Sequence, residues 1–198
     1  VGASFVSDLM DAGDISELVS SHLFDSVPHL FGDDGVLWRR WKAAIAADLD
    51  VDAHSVLLVG SAAVGVSLNP YKNLKPFDNS SDVDVAVLSY RHFEDAWHTL
   101  KSLKGTELFR MSPAAKIDIR DHAPNYVYFG SIATERILAA LTFGPQWADA
   151  IAKAEQRDPT TGRDVKIRLY RDVDALRRYQ MRSIRKTRNR AAQTAESS

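Results

Sequence analysis

The sequence predicts an α+β fold in which one mixed β-sheet packs against helices. Apolar residues recur at helical spacing through several long segments, short valine- and isoleucine-rich runs lie between them, and clusters of Gly, Pro, Asn, Asp and Ser separate the two kinds. With 198 residues, 45% of them hydrophobic and 26% charged, the chain can bury one sizeable core. A single compact unit over residues 1–190 is expected, followed by a disordered tail, "AAQTAESS", over 191–198.

The elements follow in order. "SFVSDLMDAGDISELVSSHLF" carries apolar residues at helical spacing, and in "GVLWRRWKAAIAADL" Val36, Leu37, Trp41, Ala44, Ile45 and Leu49 form one stripe. "SVLLVGSA" predicts a short buried strand that breaks at Gly60, and "NPYKNLKPFDNSS" a loop. A strand over about 82–88, a helix over about 90–103 and a strand at "AKIDIR" come next. Helices are expected near 131–142 and 145–156, where Gly144 stops the first and Pro145 suits the first turn of the second. "DVKIRLY" predicts the last strand. The last helix lies in "RDVDALRRYQMRSIRKTRNR", with Val173, Leu176, Gln180, Ile184 and Thr187 tracing its less charged stripe.

The chemistry concentrates in "SSDVDVAVLS". Side chains alternate along a strand, so Val83, Val85 and Val87 share one face while Asp82, Asp84, Ala86 and Leu88 share the other. Two adjacent carboxylates repel unless positive charge lies between them, and hard divalent cations are their usual partner. Rival motifs fail on the same residues. A phosphate-binding loop needs G-x-x-x-x-G-K-[ST], but "GSAAVGVS" places Val66 where the lysine must stand; a dinucleotide fingerprint needs three glycines, and only Gly60 and Gly65 are present.

An apolar strand ending in Gly-Ser, "LLVGSA", followed by a strand carrying D-x-D, "SDVDVAVL", resembles the DNA-polymerase-beta-like nucleotidyltransferase superfamily. The resemblance covers about residues 56–120 and implies a nucleotidyltransferase-type sheet. It also implies transfer of a nucleoside monophosphate from a nucleoside triphosphate to a hydroxyl acceptor (RNA, nucleotide or protein), assisted by two metal ions, Mg²⁺ or in its place Mn²⁺. Carried onto this chain, it makes Asp82 and Asp84 metal ligands and gives Gly60 and Ser61 to the phosphates. Glycine lets a phosphate approach the backbone, and serine offers both an N–H and a hydroxyl. The family's third carboxylate is expected at Asp118 in "AKIDIR", as metal ligand and aid to deprotonation of the acceptor; Asp121 with His122 competes for that role. Twenty residues separate Ser61 from Asp82, more than in minimal members, and the excess loop supplies Lys72 and Lys75 as candidate nucleotide-binding charges.

Composition excludes some classes. There is no cysteine, so disulfides, thiolate metal sites and cysteine nucleophiles are out, and the six histidines lack ligand spacing. No export signal or membrane-length apolar run is read, and a cytoplasmic protein without a membrane partner is expected. Residues 1–60 hold ten acidic and three basic side chains, whereas 163–190 hold eleven basic and three acidic ones. The basic helix therefore either faces an anionic partner or packs on the acidic N-terminal helices. Two other classes compete with an enzyme: a nucleotidyltransferase-type binding or regulatory module without turnover, and an RNA-binding protein acting through that helix.

Overall fold

The computed structural model describes residues 2–103 and 111–196. The N-terminal segment forms helices α1 (Gly2–Asp11) and α2 (Ile15–Val19), and α2 continues as a π-helical turn to Phe24. Helix α3 (Gly35–Asp48) begins where the Asp34 carboxylate accepts from the N–H groups of Val36 and Leu37, a local cap that fixes its start. Strand β1 (Val56–Val59), a single turn α4 (Ser61–Val64), strand β2 (Val83–Leu88) and helix α5 (Tyr90–Ser102) follow. After them come α6 (Pro113–Asn125), β3 (Ser131–Ile132), α7 (Thr134–Ile137), α8 (Gly144–Ala154), β4 (Val165–Tyr170) and α9 (Val173–Glu196).

The α+β expectation holds: the four strands form a mixed sheet in the order β1-β2-β4-β3. β1 runs antiparallel to β2, β2 parallel to β4, and β4 antiparallel to β3. One face carries Val56, Leu58, Val83, Val85, Val87, Val165, Ile167 and Leu169 into the main core, where Trp41, Ile45 and Trp147 are also buried. The two tryptophans keep their indole N–H groups satisfied, Trp41 donating to Thr160 Oγ1 at 2.9 Å and Trp147 to the Leu49 carbonyl at 3.2 Å. The opposite face is only half covered. Val59, Ala86 and Tyr170 pack beneath Ala175 and Leu176 of α9, and the remainder of that face is open.

Three expectations are corrected. "AKIDIR" is not a strand: it lies inside α6, started by Ser112, whose hydroxyl accepts from the Ala115 N–H, with Pro113 in the first turn. Ile117 is 51% exposed, so the alternation of Ile117 and Ile119 that resembled a strand marks no buried sheet face. The helix expected near 131–142 begins instead as β3, where Ile132 pairs with Leu169, and only Thr134–Ile137 is α-helical. Helix α9 runs to Glu196 through helix-forming Ala, Gln and Glu residues, so most of the expected tail is helical; 197–198 lie outside the described residues.

Of the two outcomes considered for the basic helix, packing on the N-terminal segment is the one α9 shows. Leu176, Gln180, Ile184 and Thr187 are buried, and Arg177 and Arg188 donate to the carbonyls of Ser16 and Ala12 in the N-terminal segment. Ser183 and Thr187 both donate to the Leu68 carbonyl, pinning the loop after α4. Arg178, Arg182, Arg185 and Lys186 remain exposed. Ile184→Ala should therefore destabilise the protein by roughly 2–4 kcal/mol, the usual cost of truncating a buried isoleucine. Denaturant unfolding measures it, and a neutral result would mean that α9 is not docked as described.

Candidate functional site

The open part of the sheet floors a cleft of about 680 Å³, walled by β1–α4, the loop before β2, β4 and helix α9. The β1–β2 register sets Val59 opposite Asp84, so the next residue, Gly60, turns directly above that carboxylate. Gly60 adopts φ +64° and ψ −150°, a conformation open essentially to glycine alone. A Cβ there would lie 2.9 Å from Asp84 Oδ2. The strand-end glycine and the second aspartate are thus one steric unit, with Ser61 half-buried beside them.

Of the residues singled out from the sequence, Gly60, Ser61, Lys72, Lys75, Asp82 and Asp84 all line this cleft. Asp118 does not. It sits half-buried on α6, where its carboxylate accepts from Arg136 Nη1 at 3.0 Å. Asp121 is paired with Arg120, and the buried His122 accepts from the Ala133 N–H, so neither stands in the cleft. Lys75 is engaged by Asp78 at 2.8 Å, while Lys72 is exposed.

Several cleft residues were not singled out. The parallel β2–β4 register places Lys166 opposite Asp84 and Arg168 opposite Ala86, so two cations alternate along β4 beside Asp84 of β2 and Asp82 just before it. Lys166 Nζ is hydrogen-bonded to Asp82 Oδ2, which holds the lysine above its usual pKa. Arg168 reaches Glu135 Oε1 at 3.0 Å and the Tyr179 hydroxyl. Glu135 is brought there because the Thr134 hydroxyl donates to the Ile167 carbonyl, tying the start of α7 to β4. Arg163 clamps the loop before β2, donating to the Asp78 carbonyl at 2.7 Å and the Ser81 carbonyl at 3.3 Å. The alternation that flagged Asp82 and Asp84 applies equally to Lys166 and Arg168 in "DVKIRLY". Glu135 has no comparable sequence signal.

Asp84 is reached by solvent, yet protein surrounds it on the cleft floor. That desolvation pushes its carboxyl up; Asp82 and Glu135 push the same way, and Arg168 and Lys166 oppose them without prevailing. Among the described lining residues, six cations (Lys72, Lys75, Lys166, Arg168, Arg182, Lys186) face three carboxylates, so the cleft as a whole favours an anion. Among the described residues no three His, Cys, Asp or Glu side chains cluster as metal ligands, and no helix is long and apolar enough to cross a membrane. No family model, curated protein or solved structure matches the chain.

A raised carboxyl pKa sets the sign of one prediction. Burial holds the Asp84 carboxyl above its usual pKa in the folded state, so the stability linked to its protonation is present below the ordinary carboxylate range and lost as pH rises through that elevated pKa. Asp84→Asn should accordingly raise the melting temperature at neutral pH, and the gain should vanish on acidification below pH ~4. Melting curves of the two proteins across pH check this; a loss of stability at neutral pH would show that Lys166 and Arg168 depend on the charge of Asp84.

Proposed function

We propose that the chain is a nucleotidyltransferase of the polymerase-beta-like type, binding a nucleoside triphosphate in this cleft and transferring its nucleoside monophosphate to a hydroxyl acceptor. The observation that carries the reading is the joint placement of Gly60, Ser61, Asp82 and Asp84 at one end of a cleft whose walls are cationic. Triphosphate oxygens are taken by the Ser61 N–H and hydroxyl and by Lys72, Lys75, Arg182 and Lys186, which also line the cleft.

The donor set fits one Mg²⁺ or Mn²⁺ ion. Magnesium is commonly held by one or two carboxylates together with substrate phosphates, and Asp82, just before β2, and Asp84 within it present that pair to the cleft. A second ion lacks the carboxylate anticipated at Asp118. When bound, the ion supplies charge neutralisation at the α-phosphate. In the transfer a bond forms between the acceptor oxygen and the α-phosphorus, the bond to the β-phosphate bridging oxygen breaks, and pyrophosphate leaves. The hydroxyl proton passes to Glu135, the remaining carboxylate of the cleft, which Arg168 orients.

One observation favours a second reading, binding without turnover: Lys166 already bonds Asp82, and β4 carries two cations beside the acid pair. Incubation with labelled nucleoside triphosphates and Mg²⁺, with and without RNA, separates the two by pyrophosphate release. Under the enzyme reading Asp82→Asn and Asp84→Asn each lose on the order of 100-fold or more, beyond the ~10–100-fold typical of outer-shell partners. Ser61→Ala should lose about 10-fold, the value of one charge-assisted hydrogen bond, and Asp118→Asn should be unchanged. Saturable nucleotide binding without pyrophosphate release would establish the binding module instead.

A further inference from the structure

Beside the cleft, at the junction of β3 with helix α9, lies a second depression of about 290 Å³. Tyr128, Phe129, Arg171, Arg178, Tyr179 and Arg182 line it, and Tyr179 and Arg182 also line the main cleft, so the two are continuous. The aromatic side chains are not core residues: Tyr128 is 82% exposed, Phe129 42% and Tyr179 38%. Their exposure is built in. The turn Val127–Phe129 ends at Gly130, whose φ of +74° folds it onto α9, and a Cβ at that position would come 2.8 Å from the Ala175 Cβ. The turn is thereby held against the helix with Tyr128 projecting into solvent.

The charges around these rings have one sign in excess. Arg171 is paired with Asp172 at 2.8 Å, whereas Arg178 and Arg182 make no salt bridge among the described residues. The Arg182 guanidinium stands 4.5 Å from the centre of the Phe129 ring, and Tyr128 and Phe129 meet edge to face at 5.1 Å. The exposed cations continue along α9 as Arg185 and as Lys186, which lines the cleft. Arg168 already stands 5.2 Å from the centre of the Tyr179 ring, so the ring offered for stacking is chiefly Tyr128. An exposed ring among guanidinium groups matches the two recurring groups of an unpaired polynucleotide: bases that stack and phosphates that need neutralising. A duplex offers the phosphates but keeps its base faces occupied.

We infer that this aromatic and arginine shoulder binds a single-stranded nucleic acid and leads its end into the cleft. The inference rests on the nucleotidyltransferase reading for the fate of that end, and its own content is the strand-binding surface, which supplies the acceptor class.

Anisotropy titrations of the full chain with labelled single-stranded RNA, the same sequence as DNA, and the matching duplex test it at two salt concentrations. The single strand should bind more tightly than the duplex, and the tighter of RNA and DNA names the sugar. Tyr128→Ala, at so exposed a position, should leave the melting temperature unchanged yet weaken single-strand binding by roughly 10-fold with the same salt slope, because stacking on a base is worth ~1–3 kcal/mol. Arg178→Gln should lower the slope of log K against log salt by about 0.7, one single-strand phosphate contact. Both variants should bind nucleoside triphosphate with Mg²⁺ as the parent does. Equal affinity for duplex and single strand, no effect of Tyr128→Ala, or no binding of any oligonucleotide overturns the inference. Triphosphate binding, titrated separately, shows whether the cleft reading fails with it.

Discussion

The parallel pairing of β2 with β4 is the constraint on which the open face of the sheet depends. It sets Asp84 beside Lys166 and brings Lys166 onto Asp82, so the two carboxylates lie among the cations of β4 at the open side of the sheet. In energy the Asp82–Lys166 pair is modest: both side chains are more than one-third exposed, and such pairs contribute about 0–1 kcal/mol net. Its consequence is positional. It neutralises the strand that carries the acids, and the charge left over comes from the walls, where lysines and arginines outnumber acids. The floor of the cleft is near balance, and the surroundings attract an anion.

Helix α9 couples the fold to that cleft. Its buried stripe closes half of the sheet face, and Arg177 and Arg188 fasten it to the carbonyls of the acidic N-terminal segment. The same rotation that buries Leu176 and Ile184 leaves Arg182 and Lys186 at the cleft and Arg178 and Tyr179 at the shoulder beside it. An amphipathic helix with a polar face rich in one charge can thus cover part of a sheet and wall a cleft at once. The lopsided charge of the chain is therefore spent in two ways, since one set of arginines binds the N-terminal segment and another faces solvent.

Much of this was legible in the sequence where one physical signal dominated. The β1 run ending in Gly60 and the alternation of Asp82 to Leu88 both read correctly, because period-two burial and the steric freedom of glycine leave few alternatives. The stripe Leu176, Gln180, Ile184 and Thr187 read correctly for the corresponding helical reason, while Val173, at the first turn, stays 46% exposed. Asp118 failed because two isoleucines around an acid satisfy helix and strand alike over so short a run, and the deciding signal was the Ser-Pro start ahead of it. Lys166 and Arg168 carried the same alternation as the aspartates, but their role requires knowing that β4 lies next to β2. Glu135 required more: a hydroxyl-to-carbonyl bond between Thr134 and Ile167, formed across 33 residues of sequence, places it. Pair contacts of that kind leave no local pattern.

The most direct measurement of the central claim is hydrogen exchange of the full chain with and without a nucleoside triphosphate and Mg²⁺. Occupation of the cleft as described protects peptides covering Val59–Ser61, the segment around Asp82–Val85 and the Tyr179–Lys186 stretch of α9, while α6, with Asp118, exchanges as before. Protection centred on α6, or none in any peptide at saturating nucleotide, would contradict it.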